Sequence, residues 1–84
     1  MISEYSTKLT MEMLIARIDN GEDVEFECCG KRYTICGWCE AGPNIAEQVT
    51  EANEQTFKDG ADLVDHYLID GKTIAERIGE MKML

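Results

Sequence analysis

The spacing of apolar positions separates this chain into helical and extended stretches. Leu9, Met11, Leu14, Ile15 and Ile18 recur every three or four residues, which predicts a helix over residues 7–19 with one apolar stripe. Ser6 or Thr7 is suited to cap its start, because a hydroxyl there accepts a free backbone N–H. Asn20-Gly21 ends it, since both residues tolerate a left-handed backbone. Over residues 23–36 the period changes to two. Val24, Phe26 and Cys28 alternate with Glu25, Glu27 and Cys29, and Tyr33 and Ile35 alternate with Arg32 and Thr34. A two-residue turn at Cys29-Gly30 pairs Cys28 with Lys31, Glu27 with Arg32, Phe26 with Tyr33, Glu25 with Thr34 and Val24 with Ile35. That register gathers the apolar pairs on one face and the Glu27–Arg32 pair on the other, so turn and pattern predict the same hairpin.

Beyond it, Gly37 to Pro43 reads as a connection and Asn44 to Val49 as a third strand, with Ile45 and Val49 facing inward. Thr50 to Gln55 is polar and reads as a loop. Asp59-Gly60-Ala61-Asp62 has the form of a capping box, with Asp replacing the usual Ser and Glu. The short helix it opens buries Leu63, Val64 and Tyr67, and Leu68-Ile69 plugs the core. Asp70 then caps a last helix, with Gly71-Lys72 in its first turn and Ile74, Ala75, Ile78 and Met81 facing in. The expected order is α-β-β-β-α-α. This is an α+β domain over residues 1–84, a three-stranded antiparallel meander whose one apolar face is covered by helices.

Charge changes the picture more than composition does. The apolar fraction of 44% is ordinary for a folded domain. The formal net charge is -9, and between Glu40 and Asp70 eight carboxylates (Glu40, Glu47, Glu51, Glu54, Asp59, Asp62, Asp65 and Asp70) face a single cation, Lys58. Asp19, Glu22, Asp23, Glu25 and Glu27 form an earlier acidic run. Such a field repels nucleic acid and anionic membranes and attracts basic surfaces, besides aiding solubility. Arg17, Lys31, Arg32, Lys72 and Arg77 are scattered and make no basic stripe, so direct nucleic-acid binding is not expected. No apolar run approaches the length of a membrane span. The first residues have neither the basic nor the hydrophobic region of a secretory signal. A cytoplasmic, reducing location is the expectation, with Cys28, Cys29, Cys36 and Cys39 as free thiols or metal ligands rather than disulfides.

The cysteines are the first place to look for chemistry. Four thiols with Cys36-x-x-Cys39 among them match the composition of a zinc knuckle. The hairpin argues against a shared ion. Cys36 lies five or more positions along the strands from Cys28 and Cys29, ~16–20 Å at ~3.3 Å per residue, while zinc needs every sulfur at ~2.3 Å. Adjacent Cys28 and Cys29 are also expected on opposite strand faces. Cys36-Gly37-Trp38-Cys39 has the length of a redox dithiol, but redox enzymes of that type place it at a helix start. Cys28 reads as a small core residue. His66, the single histidine, has Asp62 one turn away and Asp65 beside it, too little for a triad or a metal site. Gly71-Lys72-Thr73 lacks the upstream glycine of a phosphate loop. No cofactor, metal or catalysis is expected. Trp38, between two cysteines, suits either an interface anchor or a cover for the sheet edge.

The hairpin from Val24 to Ile35 and the tail Ile69-Asp70-Gly71-Lys72-Thr73-Ile74-Ala75-Glu76 resemble those of small proteins of Firmicutes and their phages. In size, acidity and element order the chain is also similar to small anti-CRISPR inhibitors. That resemblance implies occupation of a basic DNA-reading site on a nuclease. The functional expectation is a non-enzymatic domain that meets a basic protein surface, such as a nucleic-acid-binding protein, by imitating DNA. The expected contact residues are Glu25, Glu27, Trp38, Glu40, Glu47, Glu51, Glu54, Asp59, Asp62 and Asp65. A thiol- or zinc-dependent module using Cys36 and Cys39, and a structural homodimer, are the alternatives.

Overall fold

The structure, a computed structural model, describes residues 4–50 and 53–84, with side chains from Thr10 onward. Helix α1 (Glu4–Asp19) begins earlier than the periodicity predicts, so Ser6 and Thr7 lie inside it and do not cap it. Leu9 falls outside the described side chains. Leu14 and Ile18 are buried, and Met11 and Ile15 pack against the core. The helix closes in a Schellman arrangement. Gly21 takes φ 81, its N–H donates to the Ile18 carbonyl, and the Glu22 N–H donates to the Arg17 carbonyl. An Arg17–Glu22 ion pair at 3.3 Å spans the same turn.

Strands β1 (Asp23–Cys28) and β2 (Lys31–Cys36) pair in the expected register, extended by one further pair, Asp23 opposite Cys36. The turn works because Cys29 (φ 55) and Gly30 (φ 79) are both left-handed, the conformation whose twist matches that of the flanking strands. Strand β3 (Asn44–Glu47) pairs Ile45 with Ile35. It stops before Val49, which is 94% exposed rather than inward. The expected loop at residues 50–55 instead gives way to a short strand, β4 (Gln55–Thr56), paired with β3.

Helix α2 (Gly60–His66) is capped as its acidic start implies, with Asp59 accepting the Asp62 N–H at 2.8 Å. The reciprocal bond differs from the expected box. Asp62 accepts the N–H of Lys58, not that of the capping residue. Asp19 accepts the Gly60 N–H at 2.8 Å and ties α1 to the start of α2. After the helix, β5 (Leu68–Ile69) and β6 (Lys72–Thr73) form a small hairpin. Its turn is Asp70-Gly71, at φ 50 and 85. Asp70 therefore caps no helix, and Gly71-Lys72 is not a first turn. Leu68 is 58% exposed, so only Ile69 plugs the core. Thr73 caps α3 (Ile74–Arg77) in a complete box with Glu76. These hydrogen bonds from the backbone and hydroxyl of Thr73 hold the Glu76 carboxyl below its ordinary value. A 3-10 turn, Ile78–Glu80, follows.

The chain then returns to the sheet. Strand β7 (Lys82–Met83) pairs with β1, giving an antiparallel sheet in the order β4-β3-β2-β1-β7. The α+β class and its helix-covered sheet hold, with five strands rather than three and with β5 and β6 apart from the sheet. Val24, Phe26, Cys28, Tyr33, Ile35 and Ile45 point to one side of the sheet. They meet Leu14, Ile18, Leu63, Val64, Tyr67, Ile69, Ile74 and Ile78 in one core. All three helices thus bury their apolar residues on the same face, and among the described residues no helix covers the other face. Both sheet edges are two-residue strands, which limits edge pairing with a second copy. Among the described residues no helix is long and apolar enough to cross a membrane.

Candidate functional site

The open face follows from strand alternation. Glu25 and Glu27 on β1, Arg32, Thr34 and Cys36 on β2, and Asn44 and Ala46 on β3 all point away from the helices. Small residues in the middle, Thr34 and Ala46, leave a hollow between taller neighbours. The resulting depression is about 440 Å³ and is lined by Glu25, Thr34, Cys36, Asn44, Ala46, Glu47, Gln48 and Glu54. Gln48 reaches across β2 to donate to the Glu25 carboxylate at 3.1 Å, and Asn44 donates to the Thr56 hydroxyl at 3.1 Å. Glu27 lies between Arg32 and Lys82 in the ladder. Glu25 and Glu54 are the exposed carboxylates at the hollow. Carboxylate and amide oxygens around a floor of small residues suit cationic donor groups such as Lys or Arg side chains.

The remaining expected contact residues are dispersed. Glu47, at the end of β3, alternates with Ile45 toward the helical side and still borders the hollow. It lies 3.9 Å from the Lys31 ammonium and accepts a hydrogen bond from Asn53 at 2.7 Å. Burial, and then the charge of Glu47, push the Tyr33 hydroxyl up to about 12. Asp59 is occupied as a helix cap, and Asp62 and Asp65 lie on α2 in the helical layer, across the sheet from the open face. Glu40 is exposed in the connection after β2, and Glu51 lies outside the described residues. The ten residues therefore form no single row. Asn44, Ala46 and Gln48 line the site without having been expected there. The Ile35–Ile45 pairing carried that signal, because it places every alternate residue of β3 outward.

The His66 ring sits 3.0 Å from the Asp62 carbonyl and 2.9 Å from the Asp62 carboxylate. Its pKa is raised above 6.5, first by the backbone bond to Asp62, against desolvation, and then by the charges of Asp62 and Asp65. The stability this contributes is complete below pH 6.5 and fades as pH rises through the raised value. Thermal midpoints measured across that window are expected to fall for the native chain relative to His66→Gln. Parallel curves would show that the pair does not couple to folding.

The four thiols are free and fall into two pairs. Cys28 and Cys29 have their sulfurs 3.6 Å apart. They do not diverge as strand neighbours would, because Cys29 has left the strand for the turn. Cys36 and Cys39 have their sulfurs 3.0 Å apart at the other end of the hairpin. Among the described residues no three His, Cys, Asp or Glu side chains are grouped to hold a metal ion. Trp38, between Cys36 and Cys39, is 68% exposed and does not cover the sheet edge. No protein-family model, no curated protein and no solved structure matches this chain.

Proposed function

We propose that this protein is a non-enzymatic binding domain that docks a basic protein surface on the open face of its sheet. The observation that carries the reading is the face itself. Five strands are covered on one side only, and the uncovered side holds a hollow with Glu25 and Glu54 exposed at its margin. Trp38, exposed on the connection that leaves β2, supplies an aromatic anchor. Attraction between these carboxylates and Lys or Arg of the partner makes association fast and salt-sensitive. In its narrower form the partner is a nucleic-acid-binding protein, such as a CRISPR nuclease, and the carboxylates occupy the place of DNA phosphates. Resemblance to small acidic inhibitors in size and acidity supports that form, with the open face as the contact rather than a row running on to α2.

The test is affinity capture from lysate of the source organism at low salt, run with three versions of the chain. The native chain and Asp65→Lys, altered on the helical layer, are expected to retain the same partner. A chain carrying Glu25→Lys and Glu54→Lys is expected to lose it. Equal loss by Asp65→Lys would place the contact elsewhere. Elution by short duplex DNA is expected for the narrower form, and a partner that DNA cannot displace would rule that form out.

A further inference from the structure

We infer that Cys36 and Cys39 are a disulfide-forming pair, oxidised by low-molecular-weight disulfides while Cys28 and Cys29 form no bond to each other. This does not depend on what the open face binds. The first support is proximity. The Cys36 and Cys39 sulfurs are 3.0 Å apart, and both side chains are half-buried rather than sealed in the core. A shift of ~1 Å brings them to the ~2.05 Å of a bond.

The second support is that the connection carrying them is held at both ends. Gly37 donates its N–H to the Glu22 carbonyl at 3.1 Å. It sits so close to the end of α1 that a Cβ there would lie 2.7 Å from the Ile18 and Glu22 carbonyl oxygens. Further along, the Gly42 N–H donates to the Cys39 carbonyl at 3.0 Å, and the Phe57 N–H donates to the Pro43 carbonyl at 2.9 Å. The backbone around the two thiols is therefore clamped between α1 and the segment that follows β4. A clamped pair reacts as neighbours, without the entropy of closing a loose loop.

The reaction balances with a small disulfide as oxidant. The Cys39 thiolate attacks one sulfur of that disulfide, its S–S bond breaks, and one thiol leaves. Cys36 then gives up its proton and attacks the Cys39 sulfur of the mixed disulfide, and the second thiol leaves. The protein loses two electrons and two protons, and both appear in the two departing thiols. Burial, and then the neighbouring Cys39, push the Cys36 thiol up to about 11, so Cys36 holds its proton at neutral pH until the second step.

The other pair is an internal control. Cys28 is 1% exposed, and its thiol is pushed up to about 12, first by burial and then by Cys29. A bond between adjacent residues would also have to close a ring through one peptide unit, against the turn geometry that Cys29 and Gly30 impose. The two pairs sit at opposite ends of the hairpin, five steps or ~16 Å apart, so exchange between them requires unfolding.

The experiment treats the folded chain with oxidised glutathione, quenches with acid, alkylates free thiols after unfolding, and maps the peptides by mass. The expected product has the Cys36–Cys39 peptides joined and lighter by two hydrogens, with no alkyl group on either residue, and is fully alkylated at Cys28. Emission of Trp38, the single tryptophan, is expected to fall in step. In Cys36→Ser the second step is blocked, and a lasting glutathione adduct on Cys39 is expected. Unchanged alkylation of Cys36 and Cys39, oxidation of Cys28–Cys29 to the same extent, links between the two pairs, or no adduct in Cys36→Ser would each overturn the inference.

Discussion

Phe26→Ala is expected to cost roughly 3–5 kcal/mol of folding free energy. Phe26 is 0% exposed and stacks on Tyr33 with ring centroids 5.2 Å apart. Tyr33 meets Tyr67 edge-on at 6.2 Å, and Tyr67 meets Phe57 edge-on at 6.2 Å. This chain of rings runs from β1 through β2 to α2, so it joins the sheet to the helices. Truncating its first member removes buried apolar surface and leaves a cavity, because strand pairing on both sides of β1 prevents collapse. A domain of 84 residues has a total stability of roughly 4–13 kcal/mol. The loss is therefore a large share of the total, and all of it at the lower end of that range. Phe57, only half-buried at the other end of the chain of rings, is expected to cost less on the same change. Urea unfolding of the two variants checks this. A Phe26→Ala loss under ~1 kcal/mol, with an unaltered denaturant slope, would mean that the core does not depend on this stack.

The hairpin that carries Phe26 was legible because two independent signals agreed. Alternation from Val24 to Ile35 and the turn at Cys29-Gly30 demand the same register, and a slip of one residue would turn Phe26 and Ile35 to solvent. What was not legible is instructive. Strands β4, β5, β6 and β7 are two residues each, too short for any period to show. β4 and β7 exist because β3 and β1 offer unpaired backbone groups, and β5 and β6 because a tight turn brings them together, both properties of the assembled fold. Asp70-Gly71 misled for a different reason. Asp serves equally as a helix cap and as the left-handed first residue of a tight turn, and the choice depends on Ile69 and Lys72 pairing across it. Of the acidic residues, sequence distance said which were neighbours along the chain and nothing about which side of the sheet they occupy. Glu25 and Glu54 are 29 positions apart yet line one hollow, whereas Asp62, nearer to Glu54 in the chain, lies in the helical layer.

Gly42→Ala is expected to destabilise the protein by roughly 3 kcal/mol or more, and Gly30→Ala by about 1 kcal/mol. Both glycines have positive φ, 115 at Gly42 and 79 at Gly30, so each substitution strains the backbone. Their surroundings separate them. A Cβ at Gly30 meets nothing within 4 Å, whereas one at Gly42 would sit 1.9 Å from the Phe57 carbonyl oxygen. Backbone cannot yield as a side-chain tip can, so the connection must lift off the segment following β4 and the bond from Phe57 N–H to the Pro43 carbonyl goes with it. Subtracting the Gly30→Ala loss from the Gly42→Ala loss, both from urea unfolding, isolates the cost of the close approach. The same displacement releases the downstream clamp on Cys36 and Cys39, so the surviving folded Gly42→Ala chain is expected to form their disulfide more slowly than Gly30→Ala does. Equal losses for the two variants would show that the connection moves freely. A frame that moves freely could not hold two thiols in contact, so one glycine tests the feature on which the disulfide rests.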